Sequence, residues 1–348
     1  MRQLATYAYT NAKVRAMLSY LMDPQTFANL LDSQNIHELI DGLKKTRYQN
    51  LFTSISSDSL DLMKIERSLL LNDISIYRKV RDSLSGKRES EFVSILMQRY
   101  EIEDLKVALR LWHSKKPVRV EDYVLGQIIK FDIDYRKIVS AETIEEIIVM
   151  LDKTDYKEPL LTSRAKFKAT KSLFYLEAPL DMDYYTRLTA CIGRFSSTDK
   201  SVASRILGIE VDGENIQWLI KLRKYYGLGL GDMLEWFMPG GTVISKSALR
   251  NFYTSDGMAK VMESLSLGPY LPIKGLAEEN MHLIENLLYE ILLKEVRKAL
   301  AGNPFTIGTI FGYLILKRKE TRNIISLLYA KACGMKKEEL TRLIPDFL

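Results

Sequence analysis

A pattern that recurs three times restricts the fold of this chain more than any other feature. Residues 36–48 read IHELIDGLKKTRY and residues 144–156 read IEEIIVMLDKTDY. Ile36, Ile40, Leu43, Lys45, Thr46 and Tyr48 match Ile144, Ile148, Leu151, Lys153, Thr154 and Tyr156, 108 residues further on. A weaker copy, MAKVMESLSLGPY at 258–270, keeps Met258, Val261, Met262, Leu265 and Tyr270 another 114 residues along. A second mark has the same period: EIEDLKVALR at 101–110, DGENIQWLI at 212–220 and ETRNIISLL at 320–328. Each holds an acid with Asp or Asn three residues later, and Asp104, Asn215 and Asn323 stand 111 and 108 residues apart. A third mark closes the later units, Tyr226-Gly227-Leu228 before Pro239 and Cys333-Gly334-Met335 before Pro345. Glycine there suits a left-handed helix end, and proline stops a following helix.

Self-similarity at this period predicts three lobes, at 1–126, 127–240 and 241–348. Units of about 110 residues are too long for solenoid repeats and large enough for small cores of their own. Three similar units joined head to tail can close around an axis and leave a central opening.

Local patterning is helical throughout, which predicts an all-α protein. Val14, Met17, Leu18 and Leu21 follow the i, i+3, i+4, i+7 spacing of a half-buried helix. Asp23-Pro24 caps and opens the next, and Asn35 with Glu38 has capping-box spacing. The same reading recurs at 91–111, 142–151, 183–195, 214–226, 278–300 and 319–332, and no sustained period-2 run appears. The apolar stretch 305–316 is 12 residues with two Gly and two Thr. A membrane span needs about 20 apolar residues, so this is read as a buried helix with no direct insertion into a bilayer.

With 47% hydrophobic and 27% charged residues, the composition is that of a soluble globular protein. Two cysteines, Cys191 and Cys333, point to a reducing compartment, and no secretory signal is visible, so a cytoplasmic protein is expected. His37, His113 and His282 have no partners at ligand spacing, and neither a metal nor a cofactor is expected.

Catalytic signatures are missing: there is no GxSxG, HExxH, GxxxxGK[ST] or DxDxDG. GLGLG at 227–231 follows a helix rather than a strand and reads as a helix end and turn. The acids and amides of the second mark, Glu101 and Asp104, Asp212 and Asn215, Glu320 and Asn323, lie on one helix face at i and i+3. Three equivalent active sites in one chain would be unusual, so these six are read as a polar latch between helices, with Arg15, Arg187 and Arg322 as expected partners. Tyr48, Tyr156 and Tyr270 are assigned to packing, while Tyr184-Tyr185 and Tyr225-Tyr226 fit packing or an interface equally.

The net charge of +6 is a mild excess for 348 residues. Its short clusters, Lys44, Lys45 and Arg47; Arg164, Lys166, Lys168 and Lys171; Lys221, Arg223 and Lys224; and Lys317, Arg318 and Lys319, read mainly as solvated helix faces. Arg164, Lys166, Lys168, Lys317 and Arg318 are the candidates for docking an acidic partner. A basic helical nucleic-acid-binding or scaffold protein is the alternative, but no clustered nucleic-acid-binding face is expected.

The segments TYAYTNAKVRAM, YEIEDLKVALR, LDMDYYTRL and EVDGENIQWLIKLRKYYG resemble the C-type stalk component of V/A-type ATP synthases, equivalent to the d-type component of eukaryotic vacuolar ATPases. NPFTIGTIFGYLILKRKETRNIISLLYAKACGM is the most specific match, and Lys13 and Lys319 depart from the family's commoner residues. The resemblance runs from about Tyr7 to Pro345. It implies a funnel of three helical lobes with no catalytic residues of its own. Such a protein sits peripherally on the cytoplasmic face of the membrane and couples central-stalk axle subunits of D and F type to the rotor ring of proteolipid subunits. ATP synthesis or hydrolysis is thereby linked to proton or sodium transport.

Overall fold

The computed structural model describes residues 2–52, 60–221, 230–244, 263, 266, 268–274, 276, 281–337 and 339–340. Of the matched positions in the third copy of the first repeat only Tyr270 lies within these residues, Met258, Val261, Met262 and Leu265 falling outside them, as do Arg223, Lys224, Tyr225, Tyr226, Gly227, Leu228 and Pro345. The described residues contain helices and no strands, so the chain is all-α.

Three pairs of long helices form the frame. They are α5 (Leu62–Arg81) with α6 (Lys87–Ser114), α10 (Phe174–Gly193) with α11 (Ser197–Lys221), and α13 (Met281–Ala301) with α14 (Ile307–Ala332). The short links between partners keep each pair side by side in space. The pairs also pack on one another, α6 on α10, α11 on α13 and α14 back on α5, so the six helices make a closed circuit. A further contact joins α11 to α14.

Shorter helices fill the intervals. Helix α1 (Arg2–Leu18) lies on α14, and α2 (Pro24–Leu31), α3 (Ile36–Lys44) and α4 (Gln49–Phe52) follow it. Between α6 and α10 run a 3₁₀ turn (Val120–Asp122), α7 (Tyr135–Ser140), α8 (Ile144–Met150) and α9 (Lys157–Thr170). Helix α12 (Leu230–Glu235) and a 3₁₀ turn (Gly268–Ile273) lie between α11 and α13. Helices α5 and α9 are additions to those legible from periodicity. The predicted caps form: Asp23 Oδ1 accepts the Thr26 N–H at 2.8 Å and Asn35 Oδ1 accepts the Glu38 N–H at 3.0 Å. Glu38 reaches back one residue further than a standard capping box, to the Gln34 N–H at 2.8 Å.

The apolar stretch 305–316 and the following segment form one helix, α14, in which every residue from Ile307 to Lys317 is buried. Among the described residues no helix is long and apolar enough to cross a membrane. The helix ends at Gly334, whose φ of +71° lets the Met335 N–H reach the Ala330 carbonyl at 3.0 Å.

Two apolar clusters result. The larger runs from Tyr7 through the six-helix frame to Leu316. The second joins the two ends of the chain: Met22, Phe27, Leu30, Leu39, Leu43, Phe52, Ile65 and Leu69 pack with Ile324, Leu327, Leu328 and Leu340. Helices α2–α4 therefore take their core from the C-terminal half of α14. Truncating fully buried Leu327 to alanine should cost about 2–4 kcal/mol, with amide exchange accelerating across residues 24–52. Protection unchanged in that N-terminal segment would show that the two ends are not one cooperative unit.

Candidate functional site

The three acids at equivalent positions occupy equivalent places on α6, α11 and α14. Each carboxylate is buried and closes on the segment that follows it around the circuit. Glu101 on α6 accepts the backbone N–H groups of Ile129, Lys130 and Phe131 at 3.3, 2.9 and 3.1 Å, and the Tyr156 hydroxyl at 2.7 Å. Asp212 on α11 accepts the N–H groups of Thr242, Val243 and Ile244 at 3.0, 2.8 and 3.1 Å, and the Tyr270 hydroxyl at 3.0 Å. Glu320 on α14 accepts the Met22 N–H at 2.6 Å, the Tyr48 hydroxyl and the Arg47 guanidinium. The tyrosine of one repeat mark is thus the partner of the acid of the other mark. The third pair joins positions 320 and 48, across the chain ends.

The companion residues extend the same joints. Asp104 accepts the N–H groups of Leu125 and Gly126 at 2.7 and 2.8 Å, and Asn215 holds both the N–H and the carbonyl of Met238 at 3.0 Å. Burial pushes the Asp104 carboxyl up to about 6 against the pull of those donors, and burial raises Asp212 as well. Gly241 is required where it stands, because a Cβ there would lie 2.2 Å from Asp212 Oδ1.

Main-chain amides and tyrosines, rather than the arginines expected from sequence, satisfy the first two acids. Neutral donors hold a buried carboxylate without burying a second ion. Arg15 lies exposed on α1. Arg187 pairs with Asp183 at 2.7 Å and Asp155 at 3.0 Å, and its guanidinium lies 6.0 Å from the Tyr156 ring. The Glu320 joint alone among the three acids is ionic. Lys317, fully buried, reaches Glu320 at 3.0 Å, Asp73 at 3.8 Å and the Tyr48 hydroxyl. Burial pushes Glu320 up, but Lys317, Arg47 and the Tyr48 hydroxyl outweigh it and hold the carboxyl below its usual range. Asp73, also buried, is driven up to about 6 despite Lys317.

Two residues before each acid stand Arg99, Glu210 and Arg318, and these three meet inside the circuit. Glu210 Oε1 accepts from Arg99 and from Arg318 at 2.8 Å each. Burial pushes Glu210 up, but the two guanidiniums more than reverse it and bring it to about 2. Two residues after each acid stand Glu103, Glu214 and Arg322. All six line a cavity of about 1250 Å³ to which each of the six frame helices contributes, including Asp73 from α5, Glu177 and Asp181 from α10 and Tyr289 from α13. Asn323 lines the same space. This convergence becomes legible in the sequence only when the three acids are superimposed and their neighbours compared.

The docking candidates divide. Arg164 and Lys168 lie on the outer face of α9 beside Glu145, at 3.7 and 2.5 Å, and Lys166 pairs with Glu235. Lys317 and Arg318 are not surface residues: the first is locked in the Glu320 joint and the second in the Glu210 triad. Their position within the continuous α14, whose Lys317 side is buried and whose Arg318 and Lys319 line the cavity, explains the difference from the reading of KRK as a solvated face.

Among the described residues no group of three or more His, Cys, Asp or Glu side chains is arranged to hold a metal ion. The cavity combines both charge signs.

The joints should differ in worth. Glu320→Gln strands buried Lys317 and is expected to cost about 3–5 kcal/mol, whereas Asp212→Asn, facing neutral donors, should cost about 1–3 kcal/mol; equal losses in denaturant unfolding would reject this ranking. Glu210→Gln tests the triad through pH. The folded-state value of Glu210 lies below the ordinary 4.5, so its stabilisation is complete above 4.5 and is lost as pH falls toward about 2. The substitution should flatten stability over that window and cost about 3–5 kcal/mol at neutral pH. A parent-like acid limb would exclude the triad as its source.

Comparison with known proteins places this architecture. The family model described as ATP synthase (C/AC39) subunit matches residues 10–343. The C-type chain of the A-type ATP synthase of Methanosarcina acetivorans is 27% identical over 340 residues, covering 95% of this chain and 90% of that protein. Its namesake from Pyrococcus abyssi is 23% identical over 347 residues, covering 98% and 90%, and that from Methanocaldococcus jannaschii is 21% identical over 348 residues, covering 98% and 86%. With a match that spans all six frame helices and all three acid joints, the chain belongs to the ATP synthase (C/AC39) subunit family.

Proposed function

We propose that this chain is a non-catalytic component of a rotary A/V-type ATP synthase, a socket that joins the central-stalk axle to the membrane rotor ring. In this reading the axle subunits of D and F type enter the cavity, and the outer surface seats on the ring of proteolipid subunits. The chain then sits peripherally on the cytoplasmic face of the membrane. Torque passing through it links ATP synthesis or hydrolysis to proton or sodium movement.

The observation that carries the reading is the closed six-helix circuit around a wide charged cavity, in a chain that matches its family almost end to end. A cavity of about 1250 Å³ walled by guanidiniums, carboxylates and aromatic rings has room for the end of a protein segment. Such a socket cannot repeat one strong contact around its rim, because an axle and a ring of many identical subunits do not share symmetry. Affinity then comes from area, with charge setting orientation and encounter rate. Transmitting torque also demands that the socket stay closed, which the Glu320 joint between the chain ends provides.

Reconstitution tests the reading. Purified chain added to separate axle and ring complexes should allow both to be recovered together at moderate salt, and ATP-driven ion pumping should depend on it while ATP hydrolysis does not. Reversing Arg164 and Lys168 to glutamate should weaken recovery of the assembly with little change in melting temperature. Failure of the parent chain to hold axle and ring together would reject the function.

A further inference from the structure

Three of the helices that line the cavity carry the repeated acid, and charge makes one of them different. At the position two residues after the repeated acid, α6 and α11 present Glu103 and Glu214 while α14 presents Arg322. The acidic side is already answered by cations of the same chain: Glu103 by Lys106 at 3.2 Å, Glu214 by Arg99 at 3.3 Å and Glu177 by Arg110 at 2.6 Å. The α14 side is not. Glu210 is shared between Arg99 and Arg318, Lys319 stands 4.0 Å over the Tyr289 ring, and Arg322 makes no ion pair with a described residue. Glu285 acts at a distance on both Lys319 and Arg322, and Glu214 on Arg322. Burial and the neighbouring Arg322 bring Lys319 down to about 8, and burial with Arg318 and Arg99 lowers Arg322. Clustered like charges in a recess are stabilised by an incoming anion and set against an incoming cation.

We propose that the α14 wall, at Lys319 and Arg322, receives carboxylates of the protein segment that enters the cavity, and so selects one of three similar ways round for that segment to sit. This rests on the socket function above and names the chemistry the occupant must bring: an acidic stripe on one side of its tip. A threefold-related set of walls with identical charge would let the occupant settle in three orientations. The α6 cations in the cavity, Arg99, Lys106 and Arg110, are already paired within the chain, so the α14 wall leaves one orientation in which the occupant's carboxylates are answered and two in which they face Glu103 or Glu214.

Calorimetric titration of purified D- and F-type axle subunits onto the full chain tests this, comparing the parent with Lys319→Glu/Arg322→Glu and with the milder Lys319→Gln/Arg322→Gln. Both side chains line the cavity, and the melting temperature of each variant serves as the check on folding. The reversal should weaken binding by about 10- to 100-fold at low salt, with the glutamine pair between, and the differences should shrink at high salt. A photo-crosslinker at Ser326, on the same wall, should capture one position on the axle in the parent and several in the reversal variant. Equal affinities at every salt concentration would overturn the keyed wall while leaving the socket standing. No binding of the axle to the parent chain would overturn both.

Discussion

The structure depends on a buried carboxylate that is not left alone. At Glu320 a carboxylate on the last helix takes in the Met22 N–H, the Tyr48 hydroxyl, Arg47 and Lys317. A carboxylate removed from water without such partners would cost several kcal/mol, so the joint either forms fully or is strongly unfavourable. That property suits a closure. It ties α14 to the segment between α1 and α5, more than 270 residues away along the chain, beside the α14–α5 contact that closes the six-helix circuit. The apolar cluster of Met22, Phe27 and Leu43 with Leu327 and Leu328 supplies adhesion beside it, and the polar contacts fix the register.

Repetition explains why the same device appears three times, and divergence explains why the centre is different. Inside the circuit, three equivalent sequence positions come within reach of one another. Three identical ionised side chains there would repel. Arg99, Glu210 and Arg318 solve this by alternating sign, with one carboxylate serving two guanidiniums. The repeat is therefore most faithful where each copy binds only its own neighbour, as at Glu101, Asp212 and Glu320, and least faithful where the copies meet. The same divergence two residues after the acids makes the cavity wall unequal around its circumference.

Much of this is legible in the chain itself. Helices, caps at Asp23 and Asn35, the burial of the 305–316 stretch and the recurrence of the acids all follow from local spacing. The acids and the tyrosines are each visible as marks with one period, but not as partners of one another: Tyr156 lies 55 residues from Glu101, while Tyr48 lies 272 residues from Glu320. Arginine is the partner to expect from sequence because it is the strongest donor for a carboxylate. The loops after each helix offer main-chain N–H groups instead, and a loop's backbone carries no residue-specific trace in sequence. Lys317 and Arg318 read as part of a basic surface run because composition cannot tell which side of a helix is covered.

The sequence by itself determined the class of fold and many of the buried positions, since periodicity and caps act over a few residues. It also carried enough family resemblance to indicate what the chain belongs to. Only the tertiary structure decided that α2–α4 share a core with the far end of α14, that Arg99, Glu210 and Arg318 converge, and that one wall of the cavity is cationic. Those are statements about which distant side chains share a space. Desolvation and Coulomb energy depend on that proximity, and separation along the chain does not encode it.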